Sequence, residues 1–476
     1  MGIIVDSFAG GGGASTGIEM ALGRSPDIAI NHSREALALH SVNHPDTIHM
    51  VSDIWEVPPA EVVRQHGPID LLWASPDCRH FSKAKGGRPV KKNIRSLAWV
   101  VIRWAAKARP RGILLENVEE FKSWGPLNDD GRPCRERMGQ TFKAWVEQLE
   151  RLGYRVEWRE LVASDYGAPT QRKRLFVIAR CDGMPIVWPP ATHGNPTSLA
   201  VQNGLVRPWR TAADIIDWSI ECPSIFMTAE QARTRSIETG ARIVRPLVPA
   251  TLARIAKGVK RYVLDAQAPY LVPAPAGSGG PGSASVVAAF MAQHNGGMVG
   301  HDMRSPVSTW TMRGTQQQLV AAHMINLKGL ERRSGAVDAP CPTLTAGGRH
   351  VGLVAAFLHK YYGTDQAPEL REPLHTLTTK ERFALITVNL AGEDYVLADI
   401  GMRMLTAREM FRAQGFPETY EIENSAIGPL SKTAQTRLCG NSVCPPIAEA
   451  LVGANFPNLA QSAHAERTFN EVHAHG

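Results

Sequence analysis

The chain has 476 residues, with 52 Lys and Arg against 45 Asp and Glu, for a formal net charge of +7. Hydrophobic residues make up 43% and charged residues 20%, a composition that excludes a disordered chain and predicts two or three globular domains. No apolar run approaches the roughly 18–20 residues that cross a bilayer, the first residues lack a signal-peptide pattern, and seven cysteines without paired C-x-x-C knuckles suit neither a disulfide framework nor a zinc site. The expectation is a cytoplasmic protein with no membrane partner and no metal.

In chain order, Ile3–Val5, Ile28–Ile30, Ile69–Trp73, Ile113–Leu115 and Leu175–Ile178 read as short buried strands. Ser33–Val42, Ile94–Lys107 and Gly139–Leu152 read as the helices between them. Alternating units of this kind predict a doubly wound α/β domain, Rossmann-like, with a largely parallel sheet covered on both faces. It is expected to span residues 1–190.

After Pro189-Pro190 the texture turns to prolines, turns and short β-like segments, the mark of a second, β-rich domain over residues 191–430. Residues 273–285 are Pro-, Gly- and Ser-rich and read as a surface loop. Beyond them a pattern Pro-x-x-Thr-x-Thr, followed by Leu-Val or Leu-Ile, recurs every 33–34 residues within 286–388. Its copies start at Pro306, Pro340 and Pro373, and each reads as a small β unit. Helical periodicity is expected from Met402 through Leu451, residues 431–457 are expected to return to the first domain, and 458–476 read as a frayed tail.

Four features carry chemistry. Asp6–Gly17, with Gly10, Gly12 and Gly13, follows a strand and opens a helix, a place where backbone N–H groups approach a nucleotide-like ligand or simply make a tight turn. Ser75-Pro76-Asp77-Cys78 ends another strand, where an open α/β sheet binds its ligands, and the cationic neighbours of Cys78 favour a thiolate nucleophile. Glu116-Asn117-Val118 ends the next strand and offers a general acid or hydrogen-bond donor. Arg172 and Arg174 sit at alternate positions, so they share one face of their strand. The excess charge is also concentrated: Cys78–Leu115 holds eleven Lys or Arg and no acidic residue, leaving −4 on the rest of the chain. Such a stretch suits a phosphate-backbone partner.

Taken in order, these features resemble the DNA (cytosine-5) methyltransferase family. The glycine loop is similar to that family's S-adenosyl-L-methionine motif, Pro76-Asp77-Cys78 to its nucleophile motif, Glu116-Asn117-Val118 to its Glu-Asn-Val motif, and Arg172 with Arg174 to its paired arginines. Arg403–Glu409 with Gln414–Pro417, and Gly440–Val443, resemble its last two motifs. The resemblance implies catalytic roles for Cys78, Glu116, Arg172 and Arg174. It implies a cofactor, S-adenosyl-L-methionine, held by Phe8, Ala9, Gly10, Gly12, Gly13, His32, Asp53, Ile54, Pro76, Asn441, Ser442 and Val443. It further implies double-stranded DNA as partner, with Ser82, Lys83, Lys85 and Arg88 closing on a flipped cytosine and the β-rich domain recognising the target. Arg242, Arg245, Arg254, Lys257 and Lys260 are further candidate backbone contacts. A cognate restriction endonuclease and a monomeric state complete that expectation.

Two positions depart from the family's pattern. Asp77 stands where a second proline is common, and His32 stands where an acidic residue usually meets the cofactor ribose. A modified cofactor, an RNA cytosine-5 methyltransferase acting on tRNA, and a catalytically silent DNA-binding homologue remain as alternatives. A nicotinamide oxidoreductase accounts for the glycine loop and for none of the later motifs.

Overall fold

In the computed structural model, the apolar runs of the first part of the chain assemble into one seven-stranded sheet. The structure describes residues 2–76, 97–126, 128, 134–273, 285–293, 299–309, 317–326, 358–360, 383–385, 387–390 and 393–460. The strands are β1 (Ile3–Ser7), β2 (Ile28–Asn31), β3 (Ile48–Val51), β4 (Ile69–Ala74), β5 (Gly112–Asn117), β6 (Arg155–Val162) and β7 (Lys173–Arg180). They lie in the order β3-β2-β1-β4-β5-β7-β6. The first five are mutually parallel, as expected. β7 departs from that expectation and runs antiparallel to both β5 and β6. β6 escapes sequence reading because, as an edge strand with a largely exposed surface, it lacks an apolar run.

The period-2 alternation of each strand divides the sheet between two cores. Ile4, Leu71, Trp73, Leu114 and Phe176 face α1 (Gly13–Leu22) and the C-terminal helix. Val5, Ile30, Leu72, Ile113 and Val177 face α3 (Pro59–His66), α4 (Trp99–Lys107) and α5 (Gln140–Arg151). α2 (Arg34–Asn43) begins where its cap allows: the Ser33 hydroxyl accepts the Ala36 N–H at 3.3 Å. α5 begins after Gly139, which takes a left-handed φ of 81° as its N-cap.

The chain divides into two units. The first comprises Met1–Ile215, Pro306–Gly314 and Thr406–Gly476, and the second Ile216–Ser305 and Thr315–Leu405. The first unit therefore runs past residue 190 and resumes at Thr406 rather than at 431. The short Pro306–Gly314 stretch belongs to it because Val307 bridges Thr170, its N–H donating to Pro169 O and its carbonyl accepting from Gln171 N. The first repeat copy therefore begins within the first unit; the copy at Pro340, and that at Pro373 apart from Leu385, lie outside the described residues.

The second unit is β-rich, as expected. It holds α6 (Ala229–Thr239), α7 (Pro249–Val259) and a six-stranded sheet: β8 (Leu271–Pro273), β9 (Ser285–Gln293), β10 (Gly300–Asp302), β11 (Gln317–Asn326), β12 (Thr387–Leu390) and β13 (Glu393–Met404). One sheet face, with Phe290, Val320 and Met402, packs on Ile255 and Val259 of α7. Arg245 is 8% exposed and donates to the carbonyls of Pro223, Ser224 and Met402, so it serves the fold of this unit and not a phosphate. Met402 lies within β13 and does not begin a helix.

Helical structure resumes at α8 (Ala407–Gln414), where Thr406 and Glu409 form a reciprocal capping box. α9 (Lys432–Asn441) and α10 (Pro445–Asn455) follow. A further helical turn at 457–460 buries Leu459, so the chain is still packed where the tail was expected to begin.

Candidate active site

Five parallel strands bring their carboxyl ends to one edge of the sheet, the edge on which open α/β sheets build their sites. β1 delivers Phe8 there, with φ at +67°, a left-handed conformation uncommon for a bulky residue. The turn is held by Ala9 N donating to Ile30 O at 3.1 Å and Gly10 N donating to Phe8 O at 2.6 Å. Loop carbonyls are bound from behind: Tyr420 Oη donates to Gly11 O at 2.7 Å, and Thr16 Oγ1 donates to Gly12 O at 2.8 Å. The N–H groups that open α1 have no intrahelical acceptor and are available to a ligand.

The glycines divide by role. Among the described residues, a methyl group on Gly10 would meet nothing closer than Phe8 O at 3.9 Å, so they leave space at this position. On Gly13 it would lie 2.1 Å from Val443 O and 2.2 Å from Ser442 Oγ. On Gly12, whose φ is +82°, it would strike the Tyr420 hydroxyl. The missing side chains of Gly12 and Gly13 make room for the C-terminal segment. That close packing brings Ser442 and Val443, both buried, against the glycine loop, while Asn441 stays exposed beside them.

The next two strands are tied together at the same edge. Asn117 Nδ2 donates to Pro76 O at 3.1 Å, and Asn117 Oδ1 accepts from Val118 N at 2.9 Å. This bond holds the end of the Ser75-Pro76 turn against the Glu-Asn-Val segment. Asp77, Cys78, Ser82, Lys83, Lys85 and Arg88 lie outside the described residues. Because β7 is antiparallel, its starting end falls at this edge too, opposite the end of β5, with Asn117 in register with Leu175 and Glu116 with Phe176. Arg174 Nε sits 3.2 Å from Glu116 Oε1, their side chains 17% and 11% exposed. Arg172 is buried and donates to Gly440 O at 3.2 Å. Lys173 between them points outward to Glu119 and Glu160. The alternate spacing of the two arginines thus resolves as inward.

The expected ribose and adenine contacts are less uniform. His32 is exposed just past the end of β2, next to Asn31, whose Oδ1 accepts Ser33 N at 2.8 Å. Asp53 is exposed and its Oδ1 accepts Trp55 N at 3.0 Å, whereas Ile54 is buried in the core beneath.

Sequence reasoning missed several groups. Tyr420 carries no motif signal, yet its buried hydroxyl anchors the loop, and burial pushes its pKa well up. Cys444 caps α10, donates to Gln414 Oε1 at 2.8 Å, and is pushed up to about 11 by burial against the pull of Arg172 and Arg174. Under the loop, Asp6 accepts from Ser15 Oγ at 2.7 Å, and Ser15 meets His40 Nε2 at 2.9 Å. Burial raises the Asp6 carboxyl to about 7. Asp6 Oδ1 and Ser442 Oγ are both buried with no hydrogen-bond partner among the described residues. Open space at Gly10, helix N–H donors and a buried carboxylate together fit a ligand with both cationic and acceptor groups.

The model of the C-5 cytosine-specific DNA methylase family matches residues 3–203 and 313–456, well over half of the chain. The chain belongs to this family. Among curated relatives, Type II methyltransferase M.AgeI of Thalassovita gelatinovora is 30% identical over 196 residues, 40% of this chain and 42% of that protein. Type II methyltransferase M.SacI of Streptomyces achromogenes is 29% identical over 216 residues, 40% of this chain and 50% of that protein. The chain thus spans about half the length of the curated relatives it matches. A solved DNMT2 structure from Spodoptera frugiperda aligns with 96% of this chain and 100% of its own at 14% identity and a TM-score of 0.49. Among the described residues no helix is long and apolar enough to cross a membrane.

Proposed function

We propose that this chain is a DNA cytosine-5 methyltransferase that uses S-adenosyl-L-methionine. The observation that carries the reading is the Asn117–Pro76 bond beside the Glu116–Arg174 pair. It ties the segment leading to Cys78 to the carboxyl group that such chemistry needs. Family membership and the Type II methyltransferase relatives support the same conclusion.

Cytosine C5 is a weak nucleophile. Addition of the Cys78 thiolate to C6 makes C5 enamine-like, and Glu116, protonated and hydrogen-bonded to the ring edge, stabilises that adduct. Arg174 orients Glu116, and with Arg172 it favours the negative charge developing on the base. Bound S-adenosyl-L-methionine supplies an electrophilic methyl group. The α1 N–H groups, Phe8, Asp6 and Ser442 would hold it, with Asn441 and Val443 on one side. Once C5 carries that methyl, loss of its proton to a solvent base re-forms the C5–C6 double bond, breaks the C6–S bond and expels the Cys78 thiolate. The target must leave the duplex to reach such a site, with the basic stretch around Ser82, Lys83, Lys85 and Arg88 on the backbone and the β-rich unit reading the sequence. The chain acts in the cytoplasm as a monomer, and the Type II relatives support a restriction endonuclease as its partner.

Bisulfite sequencing of plasmid from cells expressing wild type or Cys78→Ala tests this. Protected cytosines in one short context, lost in the variant, are expected. Unprotected DNA from cells containing soluble wild-type protein would overturn the DNA reading, and tRNA would be assayed next.

A further inference from the structure

One motif of the sequence has no place in the chemistry above: the Pro-x-x-Thr-x-Thr pattern that begins at Pro306. Ser305 before it and Thr315 beyond it belong to the second unit, yet Pro306–Gly314 belongs to the first. In sequence the stretch lies between β10 and β11, two strands of the β-rich unit. It is a strap that the first unit holds.

The strap is held just before the two arginines. Pairing between β6 and β7 runs out at Val162 and Lys173, and the bond from Ala163 N to Arg172 O, at 2.9 Å, extends it by one residue. Upstream of that bond Val307 takes over as the pairing partner. Its N–H donates to Pro169 O at 3.0 Å and its carbonyl accepts from Gln171 N at 2.7 Å, across a parallel bridge to Thr170. Thr309 Oγ1 donates a longer bond, 3.4 Å, to Gln171 O. Val307 and Thr170 are wholly buried, and Pro306 and Pro169 are buried as well. In so closed a setting an unpaired backbone group is costly, so these bonds hold the strap and the Pro169–Gln171 segment to one register.

Gln171 directly precedes Arg172, and Arg174 follows at the next inward position. Arg172 donates to Gly440 O at 3.2 Å, and Arg174 Nε sits 3.2 Å from Glu116 Oε1. Side chains at alternate positions move with their strand, so a shift of the Pro169–Gln171 backbone displaces both guanidinium groups together. Displacing a positioned group by about 1 Å can cost about 10²-fold in rate. We propose that Val307 is a positioning residue for the arginine pair, acting through the backbone of Pro169, Thr170 and Gln171. The inference rests on the methyltransferase reading above, in which Arg174 orients Glu116. Because Val307 acts on alignment, its effect falls on turnover and not on the binding of cofactor or duplex.

Steady-state methyl transfer by the full chain tests the proposal, on the duplex target that bisulfite sequencing defines and with rates taken per chain that binds S-adenosyl-L-methionine. Val307→Ala shortens the buried anchor of the strap. Its kcat should fall about tenfold, while KM for cofactor and for duplex changes by less than about twofold. Thr309→Val, a change at a half-buried position, removes the bond to Gln171 O and should lower kcat by about threefold. In an Arg174→Lys background Val307→Ala should cost no further rate, because the guanidinium it aims is already gone. Full additivity of Val307→Ala and Arg174→Lys would overturn the proposal, as would a loss confined to KM for the duplex. Wild-type kcat in Thr309→Val would overturn it even where Val307→Ala does not fold. A soluble wild-type chain that transfers no methyl group to DNA or tRNA would overturn the methyltransferase reading, and the role of Val307 with it.

Discussion

Replacing Gly10 and Gly13 in turn by alanine separates the two tasks of the glycine loop. At Gly13 the new methyl lies 2.1 Å from a backbone oxygen, Val443 O, and 2.2 Å from Ser442 Oγ. Neither can yield without moving the start of α10, so the substitution overpacks the seam between α1 and α10. Such overpacking costs about 1–3 kcal/mol. For a unit of this size each kcal/mol moves Tm by about 2 °C, so Gly13→Ala should melt about 2–6 °C below wild type. At Gly10 the nearest atom is Phe8 O at 3.9 Å, an ordinary contact, and the backbone is not left-handed. Alanine there should leave Tm within about a degree or raise it slightly by restricting the unfolded chain. The same methyl occupies the opening assigned to the cofactor, so affinity for S-adenosyl-L-methionine should fall by about tenfold, on the order of 1.4 kcal/mol. Thermal unfolding and calorimetry on the two variants read both quantities. A Gly13→Ala protein that melts with wild type, or a Gly10→Ala protein that loses stability and keeps its affinity, would refute this division of labour.

Further expectations follow from individual side chains. Glu116→Gln keeps the shape of the carboxyl group but not its proton, so methyl transfer in a tritium assay should fall about 10²–10⁴-fold with Tm little changed. Tyr420→Phe removes the donor to Gly11 O and leaves a buried carbonyl unsatisfied, which should cost about 1–3 kcal/mol in denaturant unfolding. Asp6 bears on stability as well as on binding. Its folded pKa is raised from 3.8 to about 7, so between those values the unfolded state has lost a proton that the folded state keeps. The stability contributed by the protonated group is fully present below 3.8 and is lost as pH rises to about 7, by on the order of 4 kcal/mol. Asp6→Asn should remove that slope, and equal slopes in the two proteins would show that Asp6 does not titrate there.

Local pattern was enough to determine the strand–helix alternation of the first unit. The buried runs at Ile3–Val5, Ile28–Ile30, Ile69–Trp73 and Ile113–Leu115 each became a parallel strand, because a strand covered on both faces must be apolar at consecutive positions. The same logic explains the failure at β6, an edge strand with little buried surface, and at Met402, where apolar spacing alone cannot tell the end of a strand from the start of a helix. Residue types and their order along the chain were likewise enough to single out the glycine loop, Glu116, Arg172 and Arg174 as candidates.

Tertiary structure alone decided how these candidates meet. In the parallel sheet expected from the βα alternation, Arg174 would begin its strand at the edge opposite Glu116. The antiparallel turn of β7 reverses that and sets them 3.2 Å apart. Direction is a property of strand pairing, which depends on partners distant along the chain, so no local pattern reveals it. The glycines give the same lesson. Gly10, Gly12 and Gly13 read alike, yet among the described residues Gly10 alone of the three keeps space for a methyl group, because Tyr420, Ser442 and Val443 come from more than 400 residues away to fill the rest. The row of side chains from His49 through His40 and Ser15 to Asp6 joins two α-helices and two strands through bonds of 2.7–2.9 Å. A histidine, a serine and an aspartate are unremarkable in sequence, and only their burial together makes their protons matter.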